Sequence, residues 1–187
     1  MKADNRQLGS DPFGAIYDQT DRHRRQHGCW AYPFGDGRAL GTLAAATGAA
    51  RILELGTALG YTSCWLAYGN PMARVDTIER DPEHVRLARQ NIADAGLSDR
   101  VTVHAGSFDE VLATLEPGYD LAFFDGYAPT PGDLDALRAL LRPRGVLIAA
   151  NLDLDRGRTV RAALADEARW LTAPLLEGGR TTVSVAI

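Results

Sequence analysis

Cysteine is scarce. The 187-residue chain has two, Cys29 and Cys64, and no C-x-x-C pair. That argues against a zinc site or a disulfide framework, and suits a reducing cytoplasm. Long apolar runs are missing too: no stretch approaches the ~20 residues that span a bilayer. The opening MKADNRQLGSDPFG lacks an apolar core and does not read as a signal peptide. There is no long basic stripe. With a formal net charge of −4, the surface repels phosphate backbones. The run Arg22-His23-Arg24-Arg25 reads as a solvated helix face. Neither a nucleic acid nor a membrane is expected as a partner. Internal repeats and low-complexity segments are also absent.

What remains is ordinary for a folded domain: 45% hydrophobic and 24% charged residues, enough to bury one sheet between helix layers. After a loose terminus, a helix is expected near SDPFGAIYDQ, with Ser10 or Asp11 as cap and Pro12 in its first turn. A second, from about Asp36, should bury Leu40, Leu43, Ala44 and Thr47. Then strands and helices alternate. RILEL, RVDTIE, RVTVHA, YDLAFFD and RGVLIAAN read as strands. DPEHVRLARQNIADAG reads as a helix capped by Asp81, with Pro82 first and Gly96 ending it. Ser107 and Glu110 have capping-box spacing, and Thr130 with Pro131 starts another helix. A helix over roughly 156–168 precedes two strands joined through Gly178-Gly179. The expectation is an α/β fold: a Rossmann-like, mostly parallel sheet with helices on both faces and an antiparallel last strand.

Ligands of such sheets sit at the C-terminal strand ends. There, LELGTALGYTS places Gly56 and Gly60 in the first strand-to-helix turn, just after Glu54. Their G-x-x-x-G spacing is not the G-x-G-x-x-G that seats a pyrophosphate, which disfavours a dehydrogenase. Glu79 ends the second strand, where a carboxylate can accept hydrogen bonds from a ribose diol. Ser107 and Phe108 follow the third strand, and could flank an adenine or simply start a helix. Asp125 ends the fourth.

ILELGTALGYTSCWLA, TIERDPEHVRLARQNI, GSFDEVL, YDLAFFDG and LLRPRGVLIAAN together resemble the class I S-adenosylmethionine (SAM) methyltransferases, and within them the catechol and caffeoyl-CoA type of small-molecule O-methyltransferase. The likeness runs over roughly residues 30–187. It implies seven strands and SAM as cofactor. Residues 1–35 become an N-terminal helix and covering segment, and 36–187 the SAM-binding part of a single domain. It implies cofactor contacts from Phe34, Glu54, Gly56, Gly60, Glu79, Ser107, Phe108 and Asp125. The acceptor would be a small molecule, an aromatic one among the options, and the protein a homodimer.

In metal-dependent members of that family, a divalent ion is held by the carboxylate at 125 and by an Asp-Asn pair ending the fifth strand, and a nearby lysine is the base. Here the pair is Ala150-Asn151, and DGYAP after Asp125 has no lysine. Asp153 and Asp155 lie downstream, where an extended strand carries them away. The expectation is therefore no metal ion, with Asp125, Tyr127 and His27 as catalytic candidates and Tyr32 a further possible base. Cys29-Trp30 could line an aromatic pocket or pack the first helix. His84 is expected on a helix surface and His104 within its strand. Methylation at nitrogen or carbon, or a SAM- or nucleotide-binding protein that has lost methyl transfer, are the other readings.

Overall fold

In a computed structural model of the protein, residues 9–154 and 157–187 are described. Seven strands form one sheet: β1 Arg51–Leu55, β2 Arg74–Glu79, β3 Val101–Ala105, β4 Tyr119–Phe124, β5 Leu141–Ala149, β6 Trp170–Leu176 and β7 Thr181–Ala186. Their order across the sheet is β3-β2-β1-β4-β5-β7-β6. The first five run parallel, and β7 enters antiparallel between β5 and β6. Order reverses between β1 and β4, whose ends therefore open the crevice where such sheets bind ligands.

The helices are α1 Gly14–His27, α2 Gly37–Thr47, α3 Tyr61–Gly69, α4 Pro82–Asp94, α5 Phe108–Leu112, α6 Pro131–Leu140 and α7 Gly157–Leu164. They cover both faces, because β1, β4 and β5 alternate their apolar side chains. Ile52, Leu121, Phe123 and Ile148 meet Leu40, Trp65 and Val85 on one face. Leu53, Leu55, Phe124 and Leu147 meet Leu134, Leu137 and Val160 on the other.

The expected caps form. Asp81 accepts from the Glu83 and His84 N–H groups, and the Ser107–Glu110 and Thr130–Asp133 pairs close capping boxes. Four details differ from expectation. Helix α1 starts at Gly14, with Phe13 at its cap position, because Asp11 Oδ1 accepts from the Phe13 N–H just ahead of it at 2.8 Å. Thr47 is exposed and returns its hydroxyl to the Leu43 carbonyl at 2.7 Å. Strand β5 starts at Leu141, which pairs with Tyr119, and a register shift with Arg144 at φ 62° follows before the regular ladder. Helix α7 stops at Leu164 because a turn at Asp166, accepting from Arg169 and Trp170, sends Trp170 into the core.

Asp120, at the opposite end of the sheet from the crevice, ties three chain segments. Its Oδ2 accepts from the Ala50 and Arg51 N–H groups at 2.8 Å each, and Arg142 Nε donates to Oδ1 at 2.5 Å. Removing it strands the two N–H groups that begin β1. Asp120→Ala should lower stability by about 2 kcal/mol, read as a lower urea midpoint with an unchanged slope.

Candidate active site

The turn after β1 is bent back by two hydrogen bonds: the Gly56 and Thr57 N–H groups both donate to the Ile78 carbonyl, at 3.1 and 3.3 Å. Gly56 has φ 101°, and a Cβ there would lie 2.6 Å from the Asp125 carbonyl oxygen. Only glycine lets the ends of β1 and β4 approach this closely. Ala58, at φ 46°, takes a left-handed conformation that favours glycine. Its N–H donates to Glu79 Oε2 at 2.9 Å. Gly60, at φ 95°, caps α3.

Three carboxylates gather on this turn. Glu54 is fully buried. Its Oε2 accepts from Ser63 and Thr77 hydroxyls, while Oε1 has no hydrogen-bond partner. Burial raises its carboxyl to about 7, against the pull of the hydroxyls. Glu79 accepts from three backbone N–H groups, of Ala58, Arg80 and Asp81. An ionised carboxylate offers about four lone-pair sites, so room remains for about one more donor. Asp125 sits across from Gly56. Burial, then the charges of Glu177 and Glu54, push its carboxyl well above the usual carboxylate range, opposed by the Asn151 amide.

Asn151 has φ 59° and donates from Nδ2 to Asp125 Oδ1 at 3.2 Å and to the Gly126 carbonyl at 2.7 Å. The Ala150 methyl is fully buried in the apolar cluster that includes Phe34 and Ile148. Asp153 is exposed, and Asp155 lies outside the described residues. Phe108 packs edge-on to Phe124 at 5.8 Å and fills the space beside Gly126, where a Cβ would lie 2.7 Å from its ring. The Ser107 hydroxyl is engaged with Glu110 at 2.7 Å.

A cleft of about 240 Å³ opens here, lined by Thr20, Tyr32, Phe34, Ala58, Tyr61 and Asp125 among others. Its outer wall is the segment after α1. Phe34 is buried, 5.1 Å from Phe123. Tyr32 and Trp30 are exposed, and Trp30 meets exposed Tyr127 edge-on at 5.7 Å. The Tyr61 hydroxyl donates to Asp11 Oδ2 at 2.7 Å, tying the N-terminal segment to the start of α3.

His27 is not among the residues lining the cleft. It stacks 4.4 Å from His23 at the end of α1. The cationic run is only half solvated: Arg24 lies over the Tyr32 ring at 4.4 Å, and His23 contacts His84. His84 is buried, not on the helix surface, because α1 covers the start of α4. His104 is partnered by Asp76 at 2.7 Å.

Sequence reasoning missed Thr57, Thr77 and Ser63, the hydroxyls around Glu54. It also missed Glu177, which accepts from Thr181 at 2.7 Å and acts on the charge of Asp125 from the β6–β7 turn. The glycines at 178 and 179 marked that turn, but nothing in the sequence tied it to Asp125.

Residues 53–151, more than half of the chain, match the methyltransferase domain family. The chain belongs to that family. A catechol O-methyltransferase of Mycobacterium tuberculosis is 45% identical over 91 residues, covering 48% of this chain and 41% of that protein. One of Niastella koreensis is 37% identical over 126 residues, covering 64% and 57%. The chain thus spans about half the length of these curated relatives. The crystal structure of an O-methyltransferase from Bacillus cereus in complex with SAH superposes with a TM-score of 0.81 at 26% identity, covering 97% of this chain and 93% of that one. The methyltransferase domain match begins and ends on the cleft: residue 53 precedes Glu54, and residue 151 is the asparagine on Asp125.

Glu54 has a consequence for stability. Its carboxyl titrates at about 7 in the folded chain against an ordinary 4.5. The folded protein therefore holds an extra proton between those values. The stabilisation is complete below the lower one and is lost as pH rises through the upper. Between about pH 4 and about pH 8, wild type should lose roughly 3 kcal/mol of unfolding free energy relative to Glu54→Gln. Denaturant titrations of both proteins across that range check it.

Proposed function

We propose that the chain is a SAM-dependent methyltransferase acting on a hydroxyl of a small aromatic acceptor, with no divalent metal at the reacting groups. The observation that carries this is the gathering of Glu54, Glu79 and Asp125 on one glycine turn. Three carboxylates suit a cationic ligand and repel a pyrophosphate. The fully buried, unpartnered Oε1 of Glu54 fits an ammonium donor such as the one on SAM.

When bound, SAM supplies an electrophilic methyl group on a sulfonium. Glu79 holds one ribose hydroxyl with its remaining acceptor capacity, while its three backbone bonds keep the turn in shape. Phe108 offers a ring face to the adenine, and Ser107 offers backbone beside it. Phe34 and Gly56 wall the methionine end, and Gly60 starts the helix behind it. Asp125 receives the acceptor's proton, as the carboxylate among the residues that line the cleft. Trp30, Tyr32 and Tyr127 are exposed aromatics that can hold a flat acceptor at the mouth. We assign no role to His27. Ligands enter by displacing the Trp30–Phe34 segment, which walls the cleft through Tyr32, Pro33 and Phe34.

Asp125 and Asn151 are two oxygen-bearing side chains, and the Ala150 side chain offers no oxygen. Among the described residues Asp125 has no lysine to work with; the chain's single lysine is Lys2. That donor set falls short of an oxygen shell for Mg²⁺, and no step is routed through a metal. Exposed Leu171 and Leu175 on β6, the outer strand, support a homodimer through that edge.

Calorimetric titration should show SAM affinity rising as pH passes through about 7, as Glu54 gives up its proton. Glu54→Gln should remove that rise, and Glu79→Ala should weaken SAM at least about tenfold. With labelled SAM and a panel of phenols and catechols, turnover should survive EDTA and fall about 10²-fold in Asp125→Asn. Turnover lost in EDTA and restored by Mg²⁺ would overturn the metal-free reading. SAM binding with no turnover on any acceptor would favour a binding protein.

A further inference from the structure

The only group of three or more metal-capable side chains of the His, Cys, Asp and Glu types among the described residues lies away from Asp125. The ligand atoms of His23, Cys29 and His84 all fall within 4.8 Å of one another. They come from three places: the last turns of α1, the segment after it, and the first turn of α4. His84 is buried and the other two are half-buried. Among the described residues, none of the three side chains has a hydrogen-bond partner, and Cys29 is a free thiol.

We propose that His23, Cys29 and His84 bind a borderline-soft divalent ion of the zinc class, which clips α1 and the segment after it to α4. The proposal stands independently of the methyl-transfer reading.

The donor set suits Zn²⁺ and not Mg²⁺ or Ca²⁺, which want oxygen shells. With Zn–N and Zn–S bonds of roughly 2.0–2.3 Å, three tetrahedral ligands sit about 3.5 Å apart. The present spacing reaches that by small side-chain rotations. The fourth position is left to water. Glu79 Oε1 stands 3.9 Å from His84 Nδ1, too far for a hydrogen bond as it stands but near enough to become the outer carboxylate that metal-bound histidines commonly have. Uptake breaks the Cys29 S–H bond and forms an S–metal bond, with the proton passing to solvent. Cys64 is no competitor: it is fully buried, and burial pushes its thiol up to about 12.

A metal here would join His23 and Cys29, beside the wall of the cleft, to the helix that follows Glu79. The ion would hold this side of the wall in place without touching the reacting groups at Asp125.

The test uses the full chain, freed of metal with EDTA and dialysed under reducing conditions. Zn²⁺ is titrated against a chromophoric chelator, and Co²⁺ is titrated separately for its spectrum. The expected result is one Zn²⁺ per chain at sub-micromolar Kd. Co²⁺ should give a thiolate-to-metal charge-transfer band with tetrahedral ligand-field absorption. Cys29→Ser and His23→Gln, both at half-buried positions and each checked for a native circular dichroism spectrum, should weaken Zn²⁺ by more than the roughly 10–100-fold cost of losing an outer-shell partner. Cys29→Ser should also lose the charge-transfer band. Cys64→Ser should leave both unchanged. Stoichiometry below one, equal affinity in wild type and Cys29→Ser, or a Co²⁺ spectrum without sulfur ligation would overturn the proposal.

Discussion

The contact between Gly56 and the Asp125 carbonyl sets the geometry of everything near it. A Cβ at position 56 would stand 2.6 Å from that oxygen, closer than any side chain allows. Without one, the ends of β1 and β4 come together at the point where strand order reverses. The Asp125 N–H donates to Leu55 at 2.8 Å, and Gly56 and Thr57 reach across to Ile78 on the other side. Three strand ends are thereby locked into one turn. The acids they carry have fixed positions before any ligand arrives.

That proximity has an electrostatic cost, and the surrounding residues manage it unevenly. Glu79 is satisfied by three backbone N–H groups. Glu54 is surrounded by neutral hydroxyls and no cation, so burial wins over hydrogen bonding and its proton is held to about 7. Asp125 is held higher than usual by burial and by its two acidic neighbours. A site of this kind is destabilised by its own charge until a cation enters. Binding a cationic ligand therefore gains more here than it would at a turn lined with neutral groups. The same feature makes the site sensitive to pH near neutrality.

The fold was largely legible from hydrophobic alternation and punctuation. Apolar runs such as RILEL and YDLAFF have no polar face to offer, so they belong inside a sheet covered on both sides. Asp81-Pro82 and Thr130-Pro131 mark helix starts because their chemistry is local. Glycines at 178 and 179 announced the reversal that makes β7 antiparallel. The boundaries that shifted were decided by contacts far away in sequence. Tyr119 extends β5 back to Leu141. Burial of Trp170 ends α7 early. In the site, residues on strand ends could be read, since motif spacing carries them. The hydroxyls that hold Glu54, the approach of Glu177 and the burial of His84 could not, because each depends on which helix or turn covers the strand end. The half-buried His23 in a run of arginines has the same origin: sequence shows the charge of a segment but not which turn of it faces inward.

Ala150 shows how packing and chemistry constrain each other at this cleft. Its methyl faces the apolar cluster shared with Phe34, Phe123 and Ile148. Phe34, in the segment that walls the cleft, belongs to the same cluster and packs on Phe123. A carboxylate at 150 would have to leave that cluster or be buried in it without a partner, and the latter costs several kcal/mol. The small apolar residue at the end of β5 and Phe34 of the covering segment are thus parts of one apolar cluster. Asn151 occupies the next position. Its left-handed backbone turns the amide toward Asp125 and the Gly126 carbonyl. In this chain the end of β5 holds the β4 turn by hydrogen bonding through the Asn151 amide nitrogen.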